Sequence, residues 1–164
     1  MKLSNIKKTV VVPFDFSKLS CLALEQAIDL VDDISLIRVV HVAEYPSAYE
    51  YGVSWETINR DQVVKRVQEA FNEKMAQINA MPEFEITVLF GGNPGEEICR
   101  FAKDLGAELI LIPSHGRTGF ERFLLGSVAE RVIRFAPCPV YVLRQDEEIS
   151  LEPDSDQLEL QKAK

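Results

Sequence analysis

The sequence predicts a single α/β domain with three layers, in which helices cover both faces of a five-stranded parallel sheet. Five short, nearly continuous apolar runs alternate with segments whose apolar residues recur at helical spacing. Short runs without polar alternation are typical of strands that are buried on both faces, as in parallel sheets. The resulting order, β-α-β-α-β-α-β-α-β with right-handed crossovers, is a doubly wound fold and suits a chain of 164 residues.

The predicted strands are rich in β-branched residues and cover residues 9–14, 34–42, 84–90, 108–112 and 140–143. Between them, apolar residues recur at i, i+3, i+4 and i+7, which predicts amphipathic helices. The four apolar stripes begin at Leu24, Val64, Ile98 and Val128. Residues 43–60 fit neither period, and we expect a long surface loop there.

Capping residues indicate where several of the helices begin and end. Ser17 can cap the first helix, and Gly106 is expected to end the third. The fourth helix opens on the sequence SVAE, from Ser127 to Glu130, which is a capping-box pattern with the serine as N-cap. This helix is expected to stop before Pro137.

The formal charge of −8 is unevenly distributed along the chain. Residues 145–164 hold seven acidic residues and two lysines, whereas residues 1–144 hold 19 acidic and 16 basic residues. We therefore expect one domain over residues 1–144, followed by an acidic, disordered tail over residues 145–164. The overall acidity argues against a nucleic-acid backbone as the main partner. No apolar run approaches the roughly 20 residues of a membrane span, so no membrane partner is predicted.

The three cysteines, Cys21, Cys99 and Cys138, are far apart in the sequence and form no CxxC pair. Neither a metal site nor a disulfide framework is therefore predicted. Each cysteine lies in or beside an apolar segment, which favours buried free thiols. Together with a first segment that does not resemble a signal peptide, this predicts a cytoplasmic protein.

Unusual residues follow the predicted strands at one edge of the sheet. In a doubly wound fold, ligands bind beyond the carboxyl ends of the strands, where the strand order reverses. Three segments emerge at that edge, over residues 13–17, 41–42 and 113–119, and the last is followed by the start of the fourth helix. We therefore expect a ligand site among these segments.

The segment after the fourth strand carries features of an anion site. Gly116 and Gly119 let the backbone turn tightly and approach a ligand. Gly126 and Ser127 lie at a helix N-terminus, where free amides and the macrodipole favour a phosphate. Arg117 and Arg122 add positive charge nearby. Alternatively, Gly126 is an ordinary turn residue and Ser127 an ordinary N-cap.

Three further polar residues allow two interpretations each. Asp15 can accept hydrogen bonds from a ligand, or it can be a turn residue beside Ser17. His41 and His115 are capable of acid–base chemistry, but no nucleophile with a positioned base can be inferred, which favours structural roles. The sequence contains neither a GxxxxGK[ST] motif nor a GxGxxG motif after the first strand, so the two commonest nucleotide signatures are absent.

Four sequence blocks are far more specific than any single glycine pattern. They are VVPFDFS at 11–17, VHV at 40–42, SHGRTGFERFLLGSVAERV at 114–132 and APCPV at 136–140. With these blocks, residues 5–144 closely resemble the universal stress protein family. The resemblance implies a flavodoxin-like (adenine nucleotide alpha hydrolase-like) sheet of order 3-2-1-4-5, which brings Asp15 beside residues 114–116. It also implies a homodimer through the last strand, Val140 to Leu143, which would cover a sheet edge.

Members of this family that bind ATP resemble the pattern G-x-x-G-x9-G-[ST]. Gly116, Gly126 and Ser127 match it, but Pro113 stands at the first glycine. Because proline has no N–H, a contact from that amide to the ribose is lost. The resemblance implies a nucleotide site of Pro13, Phe14, Asp15, Val42, Ile112, Ser114, His115, Gly116, Arg117, Gly126, Ser127 and Val128.

The resemblance therefore favours a dimeric stress-response protein that binds ATP, with Mg²⁺ bridging the phosphates, and that signals by nucleotide occupancy. Any hydrolysis is expected to be slow, since no dedicated base is visible. The alternative is a nucleotide-independent interaction module, in which Pro113 marks a lost site and residues 43–60 and 145–164 contact partners. A third hypothesis, an enzyme that uses His115 or His41, predicts turnover that alanine substitution abolishes.

Overall fold

The computed structural model describes residues 6–44, 59–77, 84–116 and 125–144. Within these residues the elements are β1 (Val10–Pro13), α1 (Lys18–Leu30), a 3-10 turn (Ile34–Leu36), β2 (Ile37–Glu44), α2 (Arg60–Gln77), β3 (Ile86–Gly91), α3 (Pro94–Asp104), β4 (Leu109–Pro113), α4 (Ser127–Phe135) and β5 (Val140–Leu143). Most of the predicted loop 43–60 and the whole predicted tail 145–164 lie outside the described residues. No helix of the described part is both long and apolar enough to cross a membrane.

The five strands form one parallel sheet in the order β3-β2-β1-β4-β5. This confirms the predicted doubly wound fold and the strand order 3-2-1-4-5. β1 lies at the centre, where all four of its residues are buried. The order reverses between β1 and β4, so the switch point of the sheet lies between these two strands.

Each face of the sheet has its own apolar core. On one face, α1 contributes Ala23 and Leu24 and α2 contributes Phe71. On the other face, α3 contributes Ile98 and α4 contributes Val132. Because side chains alternate along a strand, neighbouring residues of β1 enter opposite cores, which explains why its sequence shows no polar alternation.

The prediction of a strand over residues 34–42 was wrong at its beginning. Ile34–Leu36 form a 3-10 turn, and β2 begins only at Ile37. The cause is local, because the Asp33 carboxylate accepts a hydrogen bond from the Ser35 N–H at 2.8 Å and caps the turn. At its other end, β2 continues to Glu44, so that Val42 lies within the strand and pairs with Leu89.

Three of the predicted helix boundaries are confirmed, since α4 ends at Phe135, before Pro137, and one is wrong. The Ser17 hydroxyl accepts a hydrogen bond from the Ser20 N–H at 3.1 Å, and Gly106 has a φ of 59° beyond the end of α3. The N-cap of α4, however, is Gly126 rather than Ser127, and this N-cap residue makes no side-chain capping hydrogen bond because glycine has no side chain. The Gly126 N–H donates to the Ser114 carbonyl at 2.7 Å, which holds Gly126 in an extended conformation, so the first helical residue is Ser127, one residue earlier than predicted.

Candidate functional site

The carboxyl ends of β1 and β4 bring two of the predicted site segments into contact. A Cβ atom added to Gly116 would lie only 2.7 Å from the Asp15 Oδ2 atom. The loop after β1 and the loop after β4 therefore meet at the switch point. The absence of a side chain at Gly116 is what lets the Asp15 carboxylate approach this backbone.

The loop between β1 and α1 holds Asp15 in a tight turn. The Asp15 Oδ1 atom accepts a hydrogen bond from the Ser17 N–H at 3.0 Å. Between them, Phe16 has a φ of 69°, a left-handed conformation that is uncommon for a bulky residue. Asp15 is thus a turn residue, as one of the two interpretations stated, while its second oxygen faces Gly116.

His41 fixes this loop from the neighbouring strand. Its Nδ1 atom lies 2.8 Å from the Phe14 carbonyl oxygen, and since a carbonyl only accepts, Nδ1 carries the hydrogen. The Phe16 ring packs edge-on against the imidazole, with centroids 5.3 Å apart. These contacts give His41 the structural role that the sequence favoured.

Pro13 and Phe14 are placed less favourably for a ligand. Both residues are buried, and the Phe14 side chain is only 2% exposed because it packs edge-to-face on Phe71. The Phe14 N–H donates to the Val40 carbonyl at 2.8 Å. The structure therefore brings the neighbourhood of Asp15 to the site, but it turns the Phe14 ring into the core.

Ser114 ties the end of β4 to two other segments. Its N–H donates to the Leu143 carbonyl at 2.7 Å, and its own carbonyl accepts from the Gly126 N–H at the same distance. Its hydroxyl lies 3.0 Å from the His115 Nδ1 atom, and the residue is only 4% exposed. These bonds place the start of α4 directly beside the end of β4. The predicted site residue Arg117 lies outside the described residues.

Gly126 occupies a position where a side chain has little room. A Cβ atom there would lie 3.3 Å from the His115 Cα and 3.4 Å from the Ser114 carbonyl oxygen. Both are backbone atoms, which cannot rotate away as the end of a flexible side chain can. The geometry thus explains why glycine precedes the helix at this point.

Three of the predicted site residues share one apolar cluster. Val42 of β2, Ile112 of β4 and Val128 of α4 all pack in the core beneath α3 and α4. Ile112 is buried, whereas Val42 and Val128 are half-buried and stand nearer the surface. These three residues form an apolar base, and Ser114 directly follows β4, the strand that carries Ile112.

The cysteines show no sign of a reactive or metal-binding role. All three are free thiols; Cys21 and Cys99 are buried, as predicted, whereas Cys138 is only half-buried. Burial raises the pKa of each thiol, which keeps it protonated and weakly nucleophilic at neutral pH. Among the described residues, no group of three or more His, Cys, Asp or Glu side chains is arranged to hold a metal ion.

A cleft of about 290 Å³ lies between the start of α3 and the outer face of α4. It continues from the predicted site, since it includes Ser127 and Val128, but it also holds Asn93, Arg131, Arg134 and Phe135. Neither arginine was predicted from the sequence to be a site residue. The signal that could have indicated them is their spacing of three residues, which puts them on the same side of a helix whose N-terminus was predicted to bind a phosphate.

A parallel sheet of order 3-2-1-4-5 with glycine-bearing loops at its switch point defines a flavodoxin-like, adenine nucleotide alpha hydrolase-like domain. The family model for the universal stress protein family matches residues 7–144. This chain therefore belongs to the universal stress protein family.

Individual relatives agree with this assignment. Universal stress protein MJ0531 of Methanocaldococcus jannaschii is 35% identical over 151 residues, which cover 86% of this chain and 84% of the relative. The solved structure of MJ0577, from the same organism, matches with a TM-score of 0.70 at 23% identity and covers 87% of this chain and 99% of that one.

Two further solved structures were determined with a nucleotide. A universal stress protein in complex with cAMP has a TM-score of 0.55 at 20% identity, with 85% of this chain and 98% of that chain covered. The universal stress protein of Archaeoglobus fulgidus in complex with dAMP has a TM-score of 0.50 at 23% identity, with 84% and 98% covered. At such identities, these likenesses establish the fold.

Proposed function

We propose that this universal stress protein binds an adenine nucleotide, ATP with Mg²⁺, at the switch point and acts in stress response through nucleotide occupancy. The observation that carries the proposal is the meeting of Asp15, Gly116 and Gly126 at the ends of β1 and β4. A Cβ atom at either glycine would crowd this space, so the backbone leaves a cradle there. The complexes of two structural neighbours with cAMP and dAMP support an adenine nucleotide as the ligand.

The adenine would lie against the apolar base of Val42, Ile112 and Val128. An aromatic base gains from contact with apolar side chains, and a few placed polar groups then fix its orientation. Asp15 supplies such a group, because a carboxylate accepts hydrogen bonds from the exocyclic amino group or from ribose hydroxyls. Pro113 has no N–H to donate to the ribose, so side chains would have to supply the hydrogen bonds to the ribose.

The phosphates would lie at the start of α4. The first N–H groups of a helix have no partner within the helix, and the macrodipole adds partial positive charge there. Ser127 is exposed and makes no capping hydrogen bond, so its hydroxyl can meet a phosphate oxygen or a water bound to Mg²⁺. Because Gly126 rather than Ser127 is the N-cap, the Ser127 hydroxyl is not used to cap the helix, which supports a phosphate at this position.

This arrangement binds and orients a nucleotide but supplies little for fast hydrolysis. His41 contacts a backbone carbonyl and Phe16, and His115 contacts the Ser114 hydroxyl. Neither contact positions an attacking water, and we therefore propose a nucleotide-binding protein whose hydrolysis is slow. We retain the cytoplasm as the proposed location.

The nucleotide content of the freshly purified protein tests this proposal. We expect acid extraction and anion-exchange chromatography to release an adenine nucleotide, and we expect millimolar Mg-ATP to raise the melting temperature of stripped protein. Mg-GTP serves as the control for non-specific stabilisation. If no nucleotide is released and Mg-ATP causes no shift, the nucleotide-independent interaction module becomes the better description.

We further propose a homodimer through β5, the edge strand Val140–Leu143. All four of its residues are only half-buried, and the neighbouring α4 exposes Ile133 at 44% and Phe135 at 56%. Successive residues of a strand direct their N–H groups to opposite sides. The Leu143 carbonyl bonds to Ser114, so the N–H groups of Val140 and Val142 point away from β4 and can pair with a partner strand.

Replacing Val142 with proline is expected to convert this dimer to a monomer, because it removes one outward N–H without removing a bond to β4. Proline is tolerated at such positions of edge strands. Sedimentation velocity would measure the oligomeric state, and Val142→Thr, which keeps the N–H, is the matched control. A Val142→Pro protein that folds and remains a dimer would contradict pairing through β5.

A further inference from the structure

We propose that the cleft between α3 and α4 holds the distal phosphates of a nucleoside triphosphate and that Arg131 and Arg134 distinguish it from a monophosphate. This inference rests on the proposed nucleotide site and extends it. The cleft has a volume of about 290 Å³ and includes Ser127 and Val128, which are also the proposed neighbours of the first phosphates. A polyphosphate chain that starts at the beginning of α4 therefore leads directly into it.

The two arginines lie on the same side of α4. Residues three positions apart are neighbours on a helix surface, so Arg131 and Arg134 present their guanidinium groups to one region. Both contribute to the wall of the cleft, with Asn93 on the opposite side at the start of α3. Guanidinium groups bind phosphate oxygens through paired, charge-assisted hydrogen bonds, which makes this wall suitable for a polyphosphate.

Each arginine is paired with a glutamate, but these pairs leave room for a ligand. The Arg131 Nη1 atom lies 2.5 Å from the Glu96 Oε1 atom, and the Arg134 Nη2 atom lies 3.4 Å from the Glu130 Oε1 atom. Each pair uses one nitrogen of a group that carries five N–H donors. Both pairs are well exposed to water and therefore contribute little stability, so a phosphate can share or replace them at low cost.

The acidic residues also explain why a monophosphate would gain little affinity from the two arginines. Glu130 lines the cleft and Glu96 lies at its side, so the arginine charges are balanced when the cleft is empty. A single phosphate at the start of α4 would be stabilised by the helix amides alone. Only the additional negative charges of a longer phosphate chain would reach the guanidinium groups. The two arginines therefore raise the affinity for the triphosphate and not for the monophosphate.

The test is calorimetric titration of the full chain with ATP, AMP and inorganic tripolyphosphate at one fixed Mg²⁺ concentration. The variant is R131Q/R134Q, and the matched control is R38Q/R100Q, which removes the same charge from exposed sites outside the cleft. We expect R131Q/R134Q to weaken ATP binding about tenfold or more and to leave AMP binding unchanged, as loss of charge-assisted hydrogen bonds requires. The control should change neither affinity by more than about twofold.

The outcomes separate this inference from the function on which it rests. If wild type binds ATP and R131Q/R134Q binds it equally well, or loses ATP and AMP equally, the role of the arginines is overturned while nucleotide binding stands. If wild type binds neither nucleotide, the proposed function fails. Titration with tripolyphosphate then shows whether the cleft binds a polyphosphate at all. Binding of tripolyphosphate that depends on the two arginines would support a polyphosphate site, and its failure to bind would overturn that site as well.

Discussion

Gly126→Val is expected to abolish adenine nucleotide binding, with a loss of affinity of more than about 100-fold, which is roughly 2.7 kcal/mol. The added Cβ would lie 3.3 Å from the His115 Cα and 3.4 Å from the Ser114 carbonyl oxygen, and the two valine methyl groups would crowd them further. The start of α4 would have to move away from the end of β4. That movement breaks the 2.7 Å hydrogen bond from the Gly126 N–H to Ser114 and removes the helix amides from the phosphates. Calorimetric titration with Mg-ATP would measure the loss.

Gly106→Asn is the matched control for this substitution. Gly106 follows α3 at the opposite edge of the sheet, where, apart from its chain neighbours, no atom of the described residues lies within 4 Å of the position of its Cβ. Asparagine also tolerates the left-handed conformation found there. We expect this variant to bind Mg-ATP like wild type. A Gly126→Val protein that retains wild-type affinity would show that the start of α4 does not contact the nucleotide.

The fold was largely predictable because its central strands, β1 and β4, are buried on both faces. β1 and β4 lie between the two apolar cores, so their sequences are continuously apolar and easily recognised. The same criterion failed at Ile34–Leu36, where the apolar residues belong to a 3-10 turn and a single side-chain bond from Asp33 decides the conformation. The strand order came from the resemblance, since periodicity carries no information on which strands pair.

The candidate site was predictable where polar residues or glycines directly follow a strand. Asp15 and Gly116 are of this kind, and the structure brings them together. The N-cap of α4 was assigned to Ser127 because a capping box is a local pattern, whereas the bond that decides it joins Gly126 to Ser114 across the loop. Arg131 was not predicted from local sequence patterns, because its partner, Glu96, lies 35 residues earlier in the chain.

The core beneath the site gives the second large effect. We expect Phe71→Ala to lower the free energy of unfolding by about 3–5 kcal/mol, the usual cost of removing a buried aromatic side chain. Phe71 is 1% exposed and is the one buried residue among the described side chains of α2. Its ring packs edge-to-face on Phe14 at 5.1 Å, so its removal leaves a cavity and also deletes a specific aromatic contact. Urea unfolding followed by circular dichroism would measure the change.

Phe135→Ala is the control for this prediction, since Phe135 is 56% exposed and its truncation should cost less than about 1 kcal/mol. Phe71→Ala also tests how the core supports the site. The Phe14 ring contacts both Phe71 and Phe16, and Asp15 lies between Phe14 and Phe16 in the sequence. A cavity at residue 71 should therefore loosen the turn that holds Asp15, and folded Phe71→Ala protein should bind Mg-ATP more weakly than wild-type protein. Equal unfolding free energies for the two variants would show that α2 does not depend on Phe71 for its attachment.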